Sequence, residues 1–213
     1  MNTALKNPPK PLKPKKKRQP QKLPKVLSKP DIETFLSGID TRPTNGIRDK
    51  AILLTMYRAG LRVSEVCDLT PYDVLFADRL ITVIDGKGGK DRNVYIDDIL
   101  LKALKSWDKI RPESEYFYCS YSRKSIGNKL DPRRIRQICE ELSDYTGVYL
   151  HDKNNEKAVH PHTLRHCHAV DLIEEGYGLH EIKDLLGHTN IQTTSVYLSV
   201  RNKELKNKII NRK

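Results

Sequence analysis

No stretch of this chain approaches the roughly 18 consecutive apolar residues that a membrane-spanning helix needs. No apolar core follows the charged N-terminus either, so a secretory signal is not expected and the protein reads as cytoplasmic. Cysteine is scarce. Cys67, Cys119, Cys139 and Cys167 lie far apart and never pair as C-x-x-C. That excludes a disulfide framework and predicts reduced, buried packing thiols. No internal repeat is visible, which sets aside solenoids and propellers. Acidic residues are missing altogether from the first thirty positions.

What fills those thirty positions is nine lysines, Arg18 and seven of the twelve prolines. Such a segment buries too little apolar surface to offset its ordering entropy, so a disordered basic arm is expected over 1–30. It reads either as a solvated linker or as a flexible arm laid along a phosphate backbone. The net charge of +12 is concentrated at the ends: the first thirty residues carry +10 and the last thirteen +5, leaving −3 for residues 31–200. Composition therefore divides the 213 residues into an arm (1–30), a folded domain (31–200) and a basic tail (201–213). Any grip on an anion must come from the two ends and from local clusters such as "KLDPRRIRQ" (129–137).

The folded part begins in helical grammar. Ser28 is placed to cap, Pro30 suits a first turn, and "IRDKAILLTMYRAG" (47–60) reads as a mostly buried helix closed by Gly60. "RVSEVCDL" sets Val63, Val66 and Cys67 at i, i+3, i+4, a second short helix. After Pro71 the β-branched and aromatic run "YDVLFADRLITVIDGKGGKDRNVYI", broken by "ADR" and "GKGGKD", predicts a small antiparallel sheet with a glycine-rich hairpin. Helical patterns resume at "DDILLKALKSWDKI", "DPRRIRQICEELSDYTG", "TLRHCHAVDLIEEGYG", "HEIKDLLGH" and "IQTTSVYLSV". The expected fold is mainly α (α+β): a single helical domain with a small three-stranded antiparallel sheet on one edge.

The densest chemistry is "HPHTLRHCHAV" (160–170), with four histidines and an arginine within nine positions. A zinc site is disfavoured, because Pro161 separates His160 from His162 and Arg165 sets a permanent positive charge inside the cluster. Phosphate fits better. His162 and Arg165, three apart at a helix start, share a face where free N–H groups and the helix dipole already attract anions. Further along, "DLLGH" puts His188 just past a helix stop at Gly187, and Tyr197 follows nine residues later. On a helix through "IQTTSVYL", Ile191, Thr194, Ser195 and Leu198 share a face, whereas Tyr197 falls roughly 240° from Ile191, free to meet a substrate. Upstream, Arg62 follows the turn at Gly60, and Lys87 and Lys90 lie in the glycine-rich hairpin.

Arg62, Lys87, His162, Arg165, His188 and Tyr197, in that order, resemble the signature of the tyrosine recombinases, the phage-integrase family of site-specific DNA recombinases. The resemblance covers most of residues 31–200. "GLRVSEV" is similar to the family's first arginine box and "GKGGKDR" to its lysine hairpin. "HPHTLRHCHAVDLIEEG" is similar to its H-x-x-R box, and "IKDLLGHTNIQTTSVY" to its histidine and nucleophile segment. It implies a catalytic domain over 31–200 that cuts and rejoins double-stranded DNA without metal, ATP or other cofactor. In that scheme Tyr197 attacks phosphorus, Arg62, Arg165 and His188 hold the phosphoryl oxygens, His162 orients or deprotonates the phenol, and Lys87 protonates the leaving 5′-oxygen. Lys90 is the alternative lysine. Glu65, on the face of Arg62, matches a supporting position. His166 and His168 are expected in the core or behind the site, and His160 has no assigned role.

The resemblance also implies a dimer or tetramer on DNA, with accessory DNA-bending proteins as further partners, and no membrane. Most members carry an additional N-terminal helical domain, so the chain reads as a short member without it or as a truncated form. The tail 201–213 reads either as a frayed terminus or as a segment that docks on a neighbouring protomer. Arg133, Arg134 and Arg136 are the candidate DNA contacts. Three other readings stand beside it: a type IB topoisomerase that relaxes supercoils, a non-catalytic DNA-binding regulator on the same scaffold, and a metal-dependent nuclease.

Overall fold

The structure is a computed structural model that describes residues 25–84, 91–152, 155–187 and 210. The arm before residue 25, both hairpin lysines, His188, the segment carrying Tyr197 and all but Ile210 of the tail lie outside the described residues.

Helix α1 (Lys29–Ser37) starts as its sequence predicts: the Ser28 hydroxyl accepts from the Asp31 amide and proline sits in the first turn. Helix α2 (Thr44–Arg58) is the centre of the molecule. Ala51, Ile52, Leu53 and Met56 are wholly buried because partners cover it on several sides: α4 (Asp98–Asp108) and α6 (Pro161–Glu174), with α1 and α5 (Pro132–Thr146) beside them. Trp107 of α4 is fully buried, and its indole N–H donates to the Phe117 carbonyl at 2.8 Å. Tyr118 lies against α2, its hydroxyl 2.6 Å from Thr55 Oγ1. A buried ion pair, Arg48 with Asp49 at 2.7 Å, is anchored further by Arg48 donating to the Cys119 carbonyl at 3.1 Å. All four cysteines are buried and unpaired, and burial pushes the thiols of Cys67, Cys139 and Cys167 up to about 12, which removes them as nucleophiles.

The three-stranded antiparallel sheet is present, in the order β1 (Val74–Leu75), β2 (Leu80–Val83), β3 (Arg92–Tyr95). Ile81 pairs with Val94, and Val83 with Arg92, so the segment 85–90 containing Lys87 and Lys90 joins β2 to β3. The turn "FADR" between β1 and β2 closes with Arg79 at φ 53. A second hairpin, β4 (Tyr149–Asp152) with β5 (Asn155–Ala158), was not expected. It stayed hidden because β5 is polar and largely exposed and β4 offers only Tyr149 and Leu150, half-buried and adjacent, without the alternation that marks a half-buried strand. Helix α7 (Leu179–Leu186) packs back on α6 and β3, burying Ile182 and Leu186. Among the described residues, no helix is long and apolar enough to cross a membrane.

The passage from α2 to α3 (Val63–Asp68) turns at Gly60, whose φ of +64 suits glycine. A Cβ there would lie 2.5 Å from His168 Cδ2 and 2.9 Å from Leu186 Cδ2, so α6 and α7 close directly onto this turn. Gly60→Ala is expected to cost about 2–5 kcal/mol of stability, left-handed strain and overpacking together. A urea midpoint equal to wild type would show instead that the turn relaxes freely.

Candidate active site

Three backbone segments converge beyond Gly60: the start of α3, the first turns of α6 and the C-terminal end of α7. Arg62 precedes α3, and Glu65, in the first turn, accepts from the Arg62 amide at 2.7 Å and from Arg62 Nη1 at 2.6 Å. The helix start thus fixes both side chains relative to each other. Arg165, one turn into α6, is buried, and its Nη1 stands 3.7 Å from Glu65 Oε2 while donating to the Gly60 carbonyl. The guanidiniums of Arg62 and Arg165 therefore meet the same carboxylate, one at each oxygen.

A third arginine completes the cluster. Arg92, first residue of β3, meets both oxygens of Glu65 at 2.9 and 2.8 Å in a parallel fork. All three arginines also share the end of α7. Arg92 Nε donates to the Leu185 carbonyl at 3.0 Å, Arg165 Nη2 to the Leu186 carbonyl, and Arg62 Nη2 to the Gly187 carbonyl at 2.9 Å. A helix C-terminus presents unsatisfied carbonyls and the negative end of its dipole, so three cations there are both hydrogen-bonded and electrostatically favoured. Gly187, φ +63, lets the chain pass close over Arg92: a Cβ there would fall 2.8 Å from Arg92 Nη1. The next residue in the chain is His188.

The charges tune the titrating groups. Burial alone would raise the Glu65 carboxyl, but hydrogen bonds from Arg92 and the Arg62 amide, with the charges of Arg92 and Arg165, bring it down to about 2. His162 lies exposed on the first turn of α6, stacked on His160 with ring centroids 5.3 Å apart. Partial burial, then the charges of Arg165, Arg62 and Arg136, lower its pKa, so its imidazole is neutral at pH 7 and able to accept a proton. His160, unassigned from sequence, caps α6: its Nδ1 accepts from the His162 amide at 3.3 Å. His166 and His168 sit behind the site, where burial first and Arg165 among the neighbouring charges bring both down to about 4.

That shift has a direct consequence for stability. The unfolded chain binds protons on these histidines from about pH 6.5 downward, while the folded protein resists until about 4. Stability is thus fully present above pH 6.5 and lost as pH falls toward 4, by about 2 kcal/mol at pH 5 for His168 alone. Urea midpoints recorded across this range should fall on acidification, and His168→Gln should flatten the curve. A wild-type midpoint constant from pH 7 to 4.5 would contradict the assignment.

Of the three arginines expected to contact DNA, Arg136 is exposed and near enough for its charge to act on His160 and His162. Arg134 is engaged by Glu141 at 2.9 Å, and Arg133 is exposed at the start of α5, its amide bound to the capping Asp131. The structure places Arg62, Glu65, His162 and Arg165 near one another. Lys87, Lys90, His188 and Tyr197 lie outside the described residues. Arg92 was given no role, although one signal marked it: it alternates with Val94 of β3 and with Ile96 just beyond the strand, on the buried side, where a charge needs a partner. Among the described residues, no group of three or more His, Cys, Asp or Glu side chains is placed to hold a metal ion.

A helical domain with a small sheet that gathers arginines and a histidine about one turn defines an anion site suited to phosphoryl chemistry. Residues 25–204 match the phage integrase family, and the chain belongs to that family, the tyrosine recombinases. The tyrosine recombinase XerA of Thermococcus onnurineus is 36% identical over 181 residues, which cover 85% of this chain and 60% of that protein. XerC of Corynebacterium glutamicum is 32% identical over 184 residues, 86% of this chain and 60% of that one. The crystal structure of XerA recombinase superposes with a TM-score of 0.73 at 27% identity, covering 91% of this chain and 67% of that one. XerH site-specific recombinase, solved bound to a palindromic difH substrate, shares the fold with a TM-score of 0.70 at 23% identity, over 89% of this chain and 54% of that one. The chain thus spans about 60% of the length of the curated relatives it matches.

Proposed function

We propose that this chain carries the catalytic machinery of a site-specific DNA recombinase, which cuts and rejoins strands through a 3′-phosphotyrosine. The observation that supports this most strongly is that Arg62 and Arg165 both meet the carboxylate of Glu65, with His162 on the first turn of the helix that carries Arg165. Two guanidiniums held in advance can receive the extra negative charge that builds on the non-bridging oxygens as phosphorus becomes five-coordinate. Nothing has to reorganise at the moment of reaction. His188, which follows Gly187 in the chain, is proposed as a further donor to the same oxygens.

The step balances without outside reagents. The Tyr197 oxygen bonds to phosphorus while the bond to the 5′-oxygen breaks. The phenolic proton passes to His162, and Lys87, or Lys90, gives a proton to the departing 5′-oxygen. One phosphoester replaces another, so the bond energy is conserved for rejoining. The partner is double-stranded DNA, contacted by Arg136 and Arg133 on α5 and by the basic arm. Assembly as a dimer or tetramer on DNA, the docking of tail 201–213 on a neighbour, and DNA-bending partners belong to the same proposal.

Incubation with a duplex nicked near the cleavage position, so that the freed end diffuses away, is expected to trap a covalent protein–DNA complex stable in detergent and indifferent to chelator. Loss of the complex with chelator would favour the metal nuclease. Relaxation of a supercoiled plasmid lacking any cognate site would favour the topoisomerase, and binding without any adduct the non-catalytic regulator.

A further inference from the structure

Arg92 closes the stretch "GKGGKDR", where the lysines alone were given a role, and it bridges two of the segments that build the site. Its side chain is only 7% exposed. Three of its five N–H groups are committed to protein acceptors: two to Glu65 and one to the Leu185 carbonyl. It is therefore occupied with the frame of the site, whereas Arg62, 32% exposed, keeps an open side toward solvent.

The role of Glu65 shows what Arg92 does. An ionised carboxylate accepts along about four lone-pair directions. The Arg62 amide and Nη1 use one pair of these, and the Arg92 fork uses the others from the side of the sheet. Without Arg92, the plane of the Glu65 carboxylate would be held only by its own helix turn and by the longer contact to Arg165. Arg62 and Arg165 would then lose their fixed mutual orientation. The same guanidinium holds the end of α7 through Leu185, next to the carbonyls that Arg165 and Arg62 hold, so a shift of Arg92 moves both anchors at once.

We infer that Arg92 is a positioning residue for phosphate recognition: through Glu65 it orients Arg62 and Arg165, and through Leu185 it sets the turn that leads to His188. This rests on the recombinase reading for its kinetic consequence and on the geometry alone for its structural one. Lysine cannot replace it, because an ammonium is a point donor and does not span two carboxylate oxygens and a carbonyl. The contact extends to the sheet: Arg92 pairs with Val83 of β2, so the arginine cluster is tied to the β2–β3 pairing.

The test combines kinetics with spectroscopy. On the nicked duplex, Arg92→Lys should form the covalent complex about ten- to a hundredfold more slowly than wild type, as expected for loss of a residue that orients a working side chain, with DNA affinity nearly unchanged. Arg92→Ala should be partly restored by added guanidinium ion and not by ammonium, a response that a general packing defect would not give. Should Arg92→Ala fail to fold, Arg92→Lys, which keeps the charge and most of the stem, decides. In parallel, nitrogen NMR of the arginine side chains should show slowly rotating guanidiniums for Arg62 and Arg165 in wild type and averaged ones in Arg92→Lys. Cleavage at the wild-type rate, a loss confined to DNA affinity, or unaltered guanidinium signals would overturn the inference. Were wild type to form no adduct at all, the recombinase reading would fall, and the NMR comparison alone would decide the role of Arg92.

Discussion

Tyr197→Phe is expected to abolish the covalent protein–DNA complex while leaving DNA affinity close to that of wild type. The substitution removes one oxygen and keeps the ring, so the charges that attract DNA are untouched. In the proposed step the oxygen that is lost is the one that bonds to phosphorus. Two of the described tyrosines are poorly suited to take its place. Tyr57 donates its hydroxyl to Asp171 at 2.7 Å, and the Tyr118 hydroxyl is buried against Thr55. Burial raises the pKa of both phenols well above the ordinary tyrosine value, and Asp171 raises Tyr57 further, so neither ionises readily. The readout is a detergent-stable band on the nicked duplex, present in wild type and absent in the variant, with binding followed separately by fluorescence anisotropy. A band of equal intensity in Tyr197→Phe would move the nucleophile elsewhere in the chain.

The legibility of the site in the sequence follows from how each residue is held. Arg62 and Glu65 are three apart, and Arg62 and Glu65 also form the backbone start of α3, so a local pattern carries their geometry. His162 and Arg165 are likewise fixed by one helix. The helices were legible from caps and periodicity: Ser28 before α1, Gly60 after α2, Gly187 after α7. Arg92 was not legible in the same way. Its partners, Glu65 and Leu185, stand 27 and 93 positions away, and only the pairing of β2 with β3 turns its side chain beneath α3. The stretch "GKGGKDR" contains Arg92, but local spacing assigns it no role, because its place is set by the packing of three separate elements. The hairpin β4–β5 escaped for the opposite reason: its strands bury little, so burial left no mark on their sequence.

The second large effect concerns Arg165. Arg165→Lys is expected to slow formation of the covalent complex by about a hundred- to a thousandfold, some 2.7–4 kcal/mol of lost transition-state stabilisation. The guanidinium of Arg165 spans the Gly60 and Leu186 carbonyls while facing Glu65, and only a planar fork covers those directions at once. A lysine ammonium keeps the charge and leaves the carbonyls at the α2–α3 turn and at the end of α7 poorly bonded, so a general electrostatic role and a directional one give different outcomes. A second buried arginine provides the control. Arg48 forms an ion pair with Asp49 beneath the core, away from the cluster around Glu65, and the paired replacement Arg48→Met with Asp49→Leu exchanges that pair for apolar packing. It should shift the urea midpoint and leave the cleavage rate per folded molecule unchanged, whereas Arg165→Lys should lower the rate in protein whose circular dichroism remains native. Single-turnover rates at saturating enzyme separate the two, because they report the chemical step without the binding step. A rate for Arg165→Lys within tenfold of wild type would mean that charge alone suffices at this position and that the fork geometry around Glu65 serves stability instead of catalysis.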